Sequence, residues 1–168
     1  MKTKKYTTNQ ISPDSYQFYK INQNVEIIDS YTFFSTGPKG KIELRILITI
    51  DLSESNIGIY NLAFGVWDPV LKDLDDRIET KNNDMDQILA TVGETAINFV
   101  LKNPLAYLYA QGSTSIRTRK YQMGILKYFP EIPLNLGIYG IINNNSGTMT
   151  LENFQVGINY HAFLLYSK

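Results

Sequence analysis

The sequence predicts an α+β domain, a mostly antiparallel sheet carrying two helices on one face, in the order β-β-β-α-β-α-β-β. Three observations point there. Runs rich in β-branched and aromatic residues are separated by clusters of turn residues, two segments switch to the spacing of a helix, and most neighbouring runs are joined by connections short enough for antiparallel pairing.

The first run covers residues 25–35 and the second 41–50. Between them Thr36-Gly37-Pro38-Lys39-Gly40 supplies the residues of a hairpin turn. A third strand over 57–67 follows the turn Ser53-Glu54-Ser55-Asn56 and stops at Asp68-Pro69. A charged connection over 71–83 leads to the strongest helix, about 84–102, where Met85, Ile88, Leu89, Val92, Ala96, Phe99 and Val100 fall at i, i+3, i+4 and i+7. Asn83 is its expected cap, and Asp84 and Asp86 occupy the first turn, where carboxylates favour the positive end of the helix dipole. The helix stops at Asn103-Pro104, because a residue before proline is pushed out of the helical region.

Residues 105–110 are short, apolar and aromatic-rich, as a strand buried on both faces would be. After Gln111-Gly112, Ser113 or Thr114 caps a second helix that runs to Tyr128, ahead of Pro130 and Pro133. Strands over 134–142 and 154–166 close the sheet around Asn143-Asn144-Asn145-Ser146-Gly147. The polar opening, residues 1–13 with Lys2, Lys4 and Lys5, is expected to be a flexible arm, leaving 14–168 as a single α+β domain without repeats.

Composition narrows the chemistry. With no cysteine, disulfides, thiolate metal sites and cysteine nucleophiles are excluded, and with His161 as the single histidine so are multi-histidine metal sites. Sixteen basic residues balance sixteen acidic ones, so the chain lacks the basic excess of bulk nucleic-acid binders, and nucleic acid is not the favoured partner. No stretch approaches the ~20 apolar residues of a membrane span and the first residues carry no apolar signal core, so no membrane partner is expected and the location read is cytoplasmic.

The most unusual segment is Gly112-Ser113-Thr114-Ser115-Ile116-Arg117-Thr118-Arg119-Lys120-Tyr121. It puts cations at the helix start, which local stability disfavours by a few tenths of a kcal/mol per charge. An acidic partner explains that arrangement: either a phosphate held by Ser113, Thr114, Arg117, Arg119 and Tyr121 together with backbone amides, or a carboxylate of the same fold. Residues 68–86 hold seven acids against three bases, a balance of −4, and residues 111–128 hold four bases and no acid. These opposite patches can pair within the fold or between copies. Asp68, Asp73 and Asp75 could offer oxygens to Mg²⁺, but their spacing matches no metal loop, and a solvated acidic loop is the favoured reading; no metal and no cofactor are expected. His161 falls on the polar side of the last strand with Gln155 and Asn159, with no serine elbow or second histidine to form a triad.

Three segments, Tyr60-Asn61-Leu62-Ala63-Phe64-Gly65, Leu89-Ala90-Thr91-Val92 and Gly112-Ser113-Thr114 with Arg117-Thr118-Arg119 and Tyr121, together resemble a family of small uncharacterised bacterial proteins, chiefly of Bacteroidota, known as a domain of unknown function. The Gly37-Pro38-Lys39-Gly40-Lys41-Ile42 turn agrees more weakly, and the resemblance covers residues 31–166. It implies a compact bacterial protein and no established activity. In that family an acid follows the Phe-Gly pair, whereas here Val66 and Trp67 precede Asp68, which weakens a catalytic carboxylate at the strand end.

The expected function is therefore a non-enzymatic binding or adaptor protein whose basic helix start holds a phosphate-containing or acidic partner, with a homodimer as the expected assembly. Two alternatives accompany it. One is a metal-dependent phosphodiester-processing enzyme using Arg117, Arg119 and Asp68, and the other a homo-oligomeric assembly protein without a ligand.

Overall fold

A computed structural model describes residues 3–12, 24–52, 58–75 and 79–168. The described residues form one nine-stranded sheet and two helices: β1 Asn9–Gln10, β2 Val25–Gly37, β3 Gly40–Asp51, β4 Ile59–Asp68, β5 Asp73–Asp75, α1 Met85–Lys102, β6 Tyr107–Ala110, α2 Ser115–Tyr128, β7 Leu136–Asn143, β8 Met149–Asn153 and β9 Ala162–Ser167. In space the order is β1-β2-β3-β4-β6-β9-β7-β8, with β5 added to β4. Every pairing is antiparallel except β4 with β6. That exception follows from α1, whose 18 residues span about 27 Å and carry the chain back along β4 before β6 begins.

Alternation sorts the side chains onto two faces. On one, Phe33, Leu44 and Ile46 meet Ile88 and Val92 of α1, while Ile48, Leu108 and Leu136 meet Ala96, Phe99 and Val100. On the other, Ile27 and Leu47 are covered by Ile11, Trp67 and Leu74, and the Arg45 guanidinium lies 3.7 Å from the Trp67 ring while its Nε reaches Glu43 at 2.7 Å. Gly65 stands opposite Arg45 in the β3–β4 register, beside this stack.

The α+β plan and both helices are as the sequence predicts, with differences in detail. Met85, expected in the buried stripe, is 37% exposed because it precedes the first full turn over the sheet, and Leu89 turns toward α2. The cap of α1 is Asp84 instead of Asn83, which takes a left-handed φ of 57°. Asp84 does not cap with its side chain: the buried carboxylate accepts the hydroxyls of Tyr6 at 2.5 Å, Thr80 at 2.9 Å and Ser35. Asn82 accepts the Lys39 amide at 2.7 Å and donates to Ser35 and to the Gly40 carbonyl, so the tip of the β2–β3 hairpin is bolted to the start of α1. Gly37 permits that approach, since a Cβ there would sit 2.8 Å from the Asn82 side chain.

Two further strands arise where no strand was expected. Residues 73–75 add to β4, and residues 149–153 pair with β7. Strand β6 begins at Tyr107 and not at Leu105, which is highly exposed, so this strand is not buried on both faces. The closing strand is shorter than predicted because residues 154–161 leave the ladder. Gln122 holds that detour, donating to the Ile158 carbonyl and accepting the Tyr160 amide at 3.2 Å. At the chain start, β1 pairs with β2, the Tyr6 amide donates to Thr91 Oγ1 at 2.8 Å and its ring stacks on Phe33. Met1, Lys2 and Pro13 of the expected arm, the turn at 53–56, the strand start Ile57, and Asp76 and Arg77 of the acidic stretch lie outside the described residues.

Candidate functional site

Between the two helices and the sheet lies a cavity of about 650 Å³. Its floor is Leu62 and Phe64 of β4, Leu108 and Ala110 of β6, and Phe163 and Leu165 of β9; α1 contributes Val92, Gly93, Ala96 and Ile97, and α2 contributes Tyr121, Gly124 and Ile125. A volume of this order accommodates one small organic molecule, and a mainly apolar wall with few polar groups is the usual make-up of such sites.

The cavity exists because small residues face it and because α2 is not drawn down by an apolar stripe. Among the described side chains of α2, the buried positions are Thr118, Gln122 and Gly124. Thr118 Oγ1 accepts the Gly112 amide at 3.0 Å, and Gln122 holds the 158–160 detour. Gly124 sets the closest approach of the helices, since a Cβ there would come 2.9 Å from Leu89 Cδ1. Gly93 is different: a Cβ on it would meet no atom within 4 Å. A glycine inside a helix costs about 1 kcal/mol relative to alanine. At Gly124 close packing accounts for it, whereas at Gly93, half-buried and lining the cavity, no packed neighbour does. The cavity reaches solvent beside Glu94, whose side chain is 49% exposed and stands 3.8 Å from Lys5 Nζ.

The predicted anion-holding residues are not gathered into one constellation. Thr114 Oγ1 accepts the Arg117 amide at 3.2 Å and its carbonyl accepts the Thr118 amide and hydroxyl, so Thr114 acts as the cap of α2, while Ser113 is exposed. Gly112 folds onto this turn, where a Cβ would be 2.5 Å from the Thr118 nitrogen. Arg119 donates to Asn159 at 3.3 Å. Tyr121 is remote from the cap in role: its ring packs at 5.2 Å on Phe64 and lines the cavity. The opposite patches pair within the chain, Lys120 with Glu79 at 2.8 Å and Lys127 with Asp86. The Lys120 hydrogen bond and charge, with a smaller contribution from Arg117, hold the Glu79 carboxyl below its ordinary range.

Asp68 is engaged locally, its Oδ1 accepting the amides of Val70 at 2.9 Å and Leu71 at 3.1 Å across the β4–β5 turn. Among the described residues no three His, Cys, Asp or Glu side chains stand where they could share a metal ion. His161 precedes β9 instead of lying within it, and has partners that spacing did not reveal: its Nε2 is 3.1 Å from Gln111 Nε2, and Gln111 Oε1 accepts the Tyr109 hydroxyl at 2.7 Å. Burial pushes the Tyr109 phenol above its ordinary pKa.

Sequence reasoning missed Gly93, Gln122 and the cavity itself. A helix-interior glycine was the available signal. The three segments on which the family resemblance rests all reach this cavity, through Leu62 and Phe64, Leu89 and Val92, and Tyr121. Among the described residues no helix is long and apolar enough to cross a membrane. No curated protein and no solved structure matches the chain. The Family of unknown function (DUF6934) matches residues 13–168, and the chain belongs to that family.

Proposed function

We propose that this is a non-enzymatic binding protein that holds a small, mainly apolar molecule between the helix pair and the sheet. One observation carries the reading: Gly93, in the middle of α1, lines the cavity at a half-buried position where a Cβ would meet no atom within 4 Å and a larger residue would strengthen the helix. The site is formed by rigid elements on both sides, as binding sites that are built before the ligand arrives require. The setting we infer, from the motif resemblance and the cysteine-free composition, is bacterial and cytoplasmic.

The reading is tested by titrating the protein with the uncharged fluorophore N-phenyl-1-naphthylamine. Saturable one-to-one binding with a blue-shifted emission is expected, and Gly93→Leu, which fills the cavity from α1, removes it. Gly93→Ala should keep the binding and raise stability by up to about 1 kcal/mol in thermal denaturation. No saturable binding by the unsubstituted protein, or undiminished binding by a folded Gly93→Leu variant, would sink it.

An anion held at the start of α2 by Ser113, Thr114, Arg117 and Arg119 is a second reading, favoured by the exposed Ser113 hydroxyl and by two guanidinium groups within the first turns. Phosphate or oligonucleotide binding abolished by Arg117→Ala with the fold intact would support it. Self-association draws no support from the paired patches, and what favours it is the exposed edge strand β8, where Met149 and Leu151 face solvent; light scattering at several concentrations decides it.

A further inference from the structure

We infer that the cavity selects an apolar molecule with a positively charged end, such as an alkyl amine, and rejects the corresponding carboxylate. The inference rests on the cavity reading above and concerns its chemical class. The apolar floor and roof specify the body of the ligand; the charged side chains that line the cavity specify its end. These are Asp73, Glu94 and Glu131 against a single base, Lys5. Lys5 stands 3.8 Å from Glu94 and offsets it, which leaves Asp73 and Glu131 without an opposite charge among the described residues of the lining.

The surroundings deepen that bias. Asp68 is the register partner of Asp73, so both carboxylates project from one face of the β4–β5 ladder. On α2, Lys120 reaches Glu79 and Lys127 reaches Asp86. A carboxylate-headed molecule would bring a like charge to an acidic rim, whereas an ammonium group meets the complementary sign, a difference felt most at low ionic strength.

The experiment is displacement of bound N-phenyl-1-naphthylamine by decylamine, decanol and decanoate below their micellar concentrations, at neutral pH and low salt. The amine is expected to displace the fluorophore at about one-tenth the concentration of the alcohol, with decanoate the weakest. The double variant Asp73→Asn, Glu131→Gln should bring the amine to the level of the alcohol, so that the ratio of their displacing concentrations falls to about one. The Asp73 Oδ1 accepts the Leu74 amide at 2.7 Å, and an asparagine side chain keeps an oxygen for that bond, so the turn is preserved. Should the double variant fold poorly, Glu131→Gln alone at its exposed position carries the test, with a smaller loss of preference. Decanoate binding as tightly as the amine, or an amine preference untouched by the variant, overturns the inference while the cavity reading stands. Absence of fluorophore binding overturns both.

Discussion

Helix α1 buries Ile88, Val92, Ala96, Phe99 and Val100 against the sheet, whereas among the described side chains of its neighbour α2 the buried positions are Thr118, Gln122 and Gly124. The two helices share one face of the sheet and are fixed by different chemistry. Aliphatic and aromatic side chains gain roughly 1.5–3 kcal/mol each on full burial, and they draw a helix down until the space beneath it is filled. Hydrogen bonds contribute only about 1 kcal/mol net apiece but act at fixed distances and directions, so they can hold a helix off the sheet. The cavity is the consequence. It lies where the aliphatic seam of α1 gives way to Gly93 and where α2 is suspended by Thr118, Gln122 and the ion pairs along its outer side.

The largest effect separating the helices should come from placing an unpaired charge under each. Val100, fully buried on α1, becomes a site of severe destabilisation on Val100→Asp, about 3 kcal/mol or more, while Ile116→Asp on α2, at a position 69% exposed, stays within about 0.5 kcal/mol. Melting temperatures of the two variants check this directly, and equal losses would break the contrast. The clamp on α2 comes next. Gln122→Leu keeps the bulk but leaves the Tyr160 amide and the Ile158 carbonyl without their partner, and should lower stability by about 1–3 kcal/mol. A neutral result in chemical denaturation would mean that α2 is held by something other than that clamp.

The smallest effect belongs to the Lys120–Glu79 pair, whose side chains are both largely exposed. A double-mutant cycle with alanine should give a coupling under about 1 kcal/mol that vanishes in high salt. Its pH dependence has a definite sign. Because the folded Glu79 pKa is depressed, its contribution is fully present above the unfolded carboxyl value and fades as the pH falls through the lower folded value. Lys120→Ala should flatten that acid limb; an unchanged acid limb would place the shift elsewhere.

Legibility in the sequence followed the same division. The seam of α1 was readable because burial of apolar groups imposes a 3.6-residue period, and the hairpin at 36–40 because its turn needs glycine and proline locally. Strands β5 and β8 were not, since runs of 3 and 5 residues are too short to show a period, and β8 is mostly exposed along its length. Nor was the hub at Asp84, whose partners Tyr6, Ser35 and Thr80 stand 78, 49 and 4 residues away. The basic start of α2 was visible as a charge pattern, but whether Lys120 met an external anion or Glu79 depended on where residue 79 lies in space.

By itself the sequence determined the α+β class, the aliphatic seam of α1, the hairpin turn, and the exclusion of thiolate and multi-histidine chemistry, because each of these depends on residue type and local spacing alone. Only the tertiary structure decided the parallel β4–β6 pairing, the ion pairs of Lys120 with Glu79 and Lys127 with Asp86, and the open space beside Gly93. Those depend on distances between residues far apart in the chain, and an empty volume leaves no periodicity behind: a glycine reads the same in sequence whether its neighbour is a packed leucine, as at Gly124, or a cavity, as at Gly93.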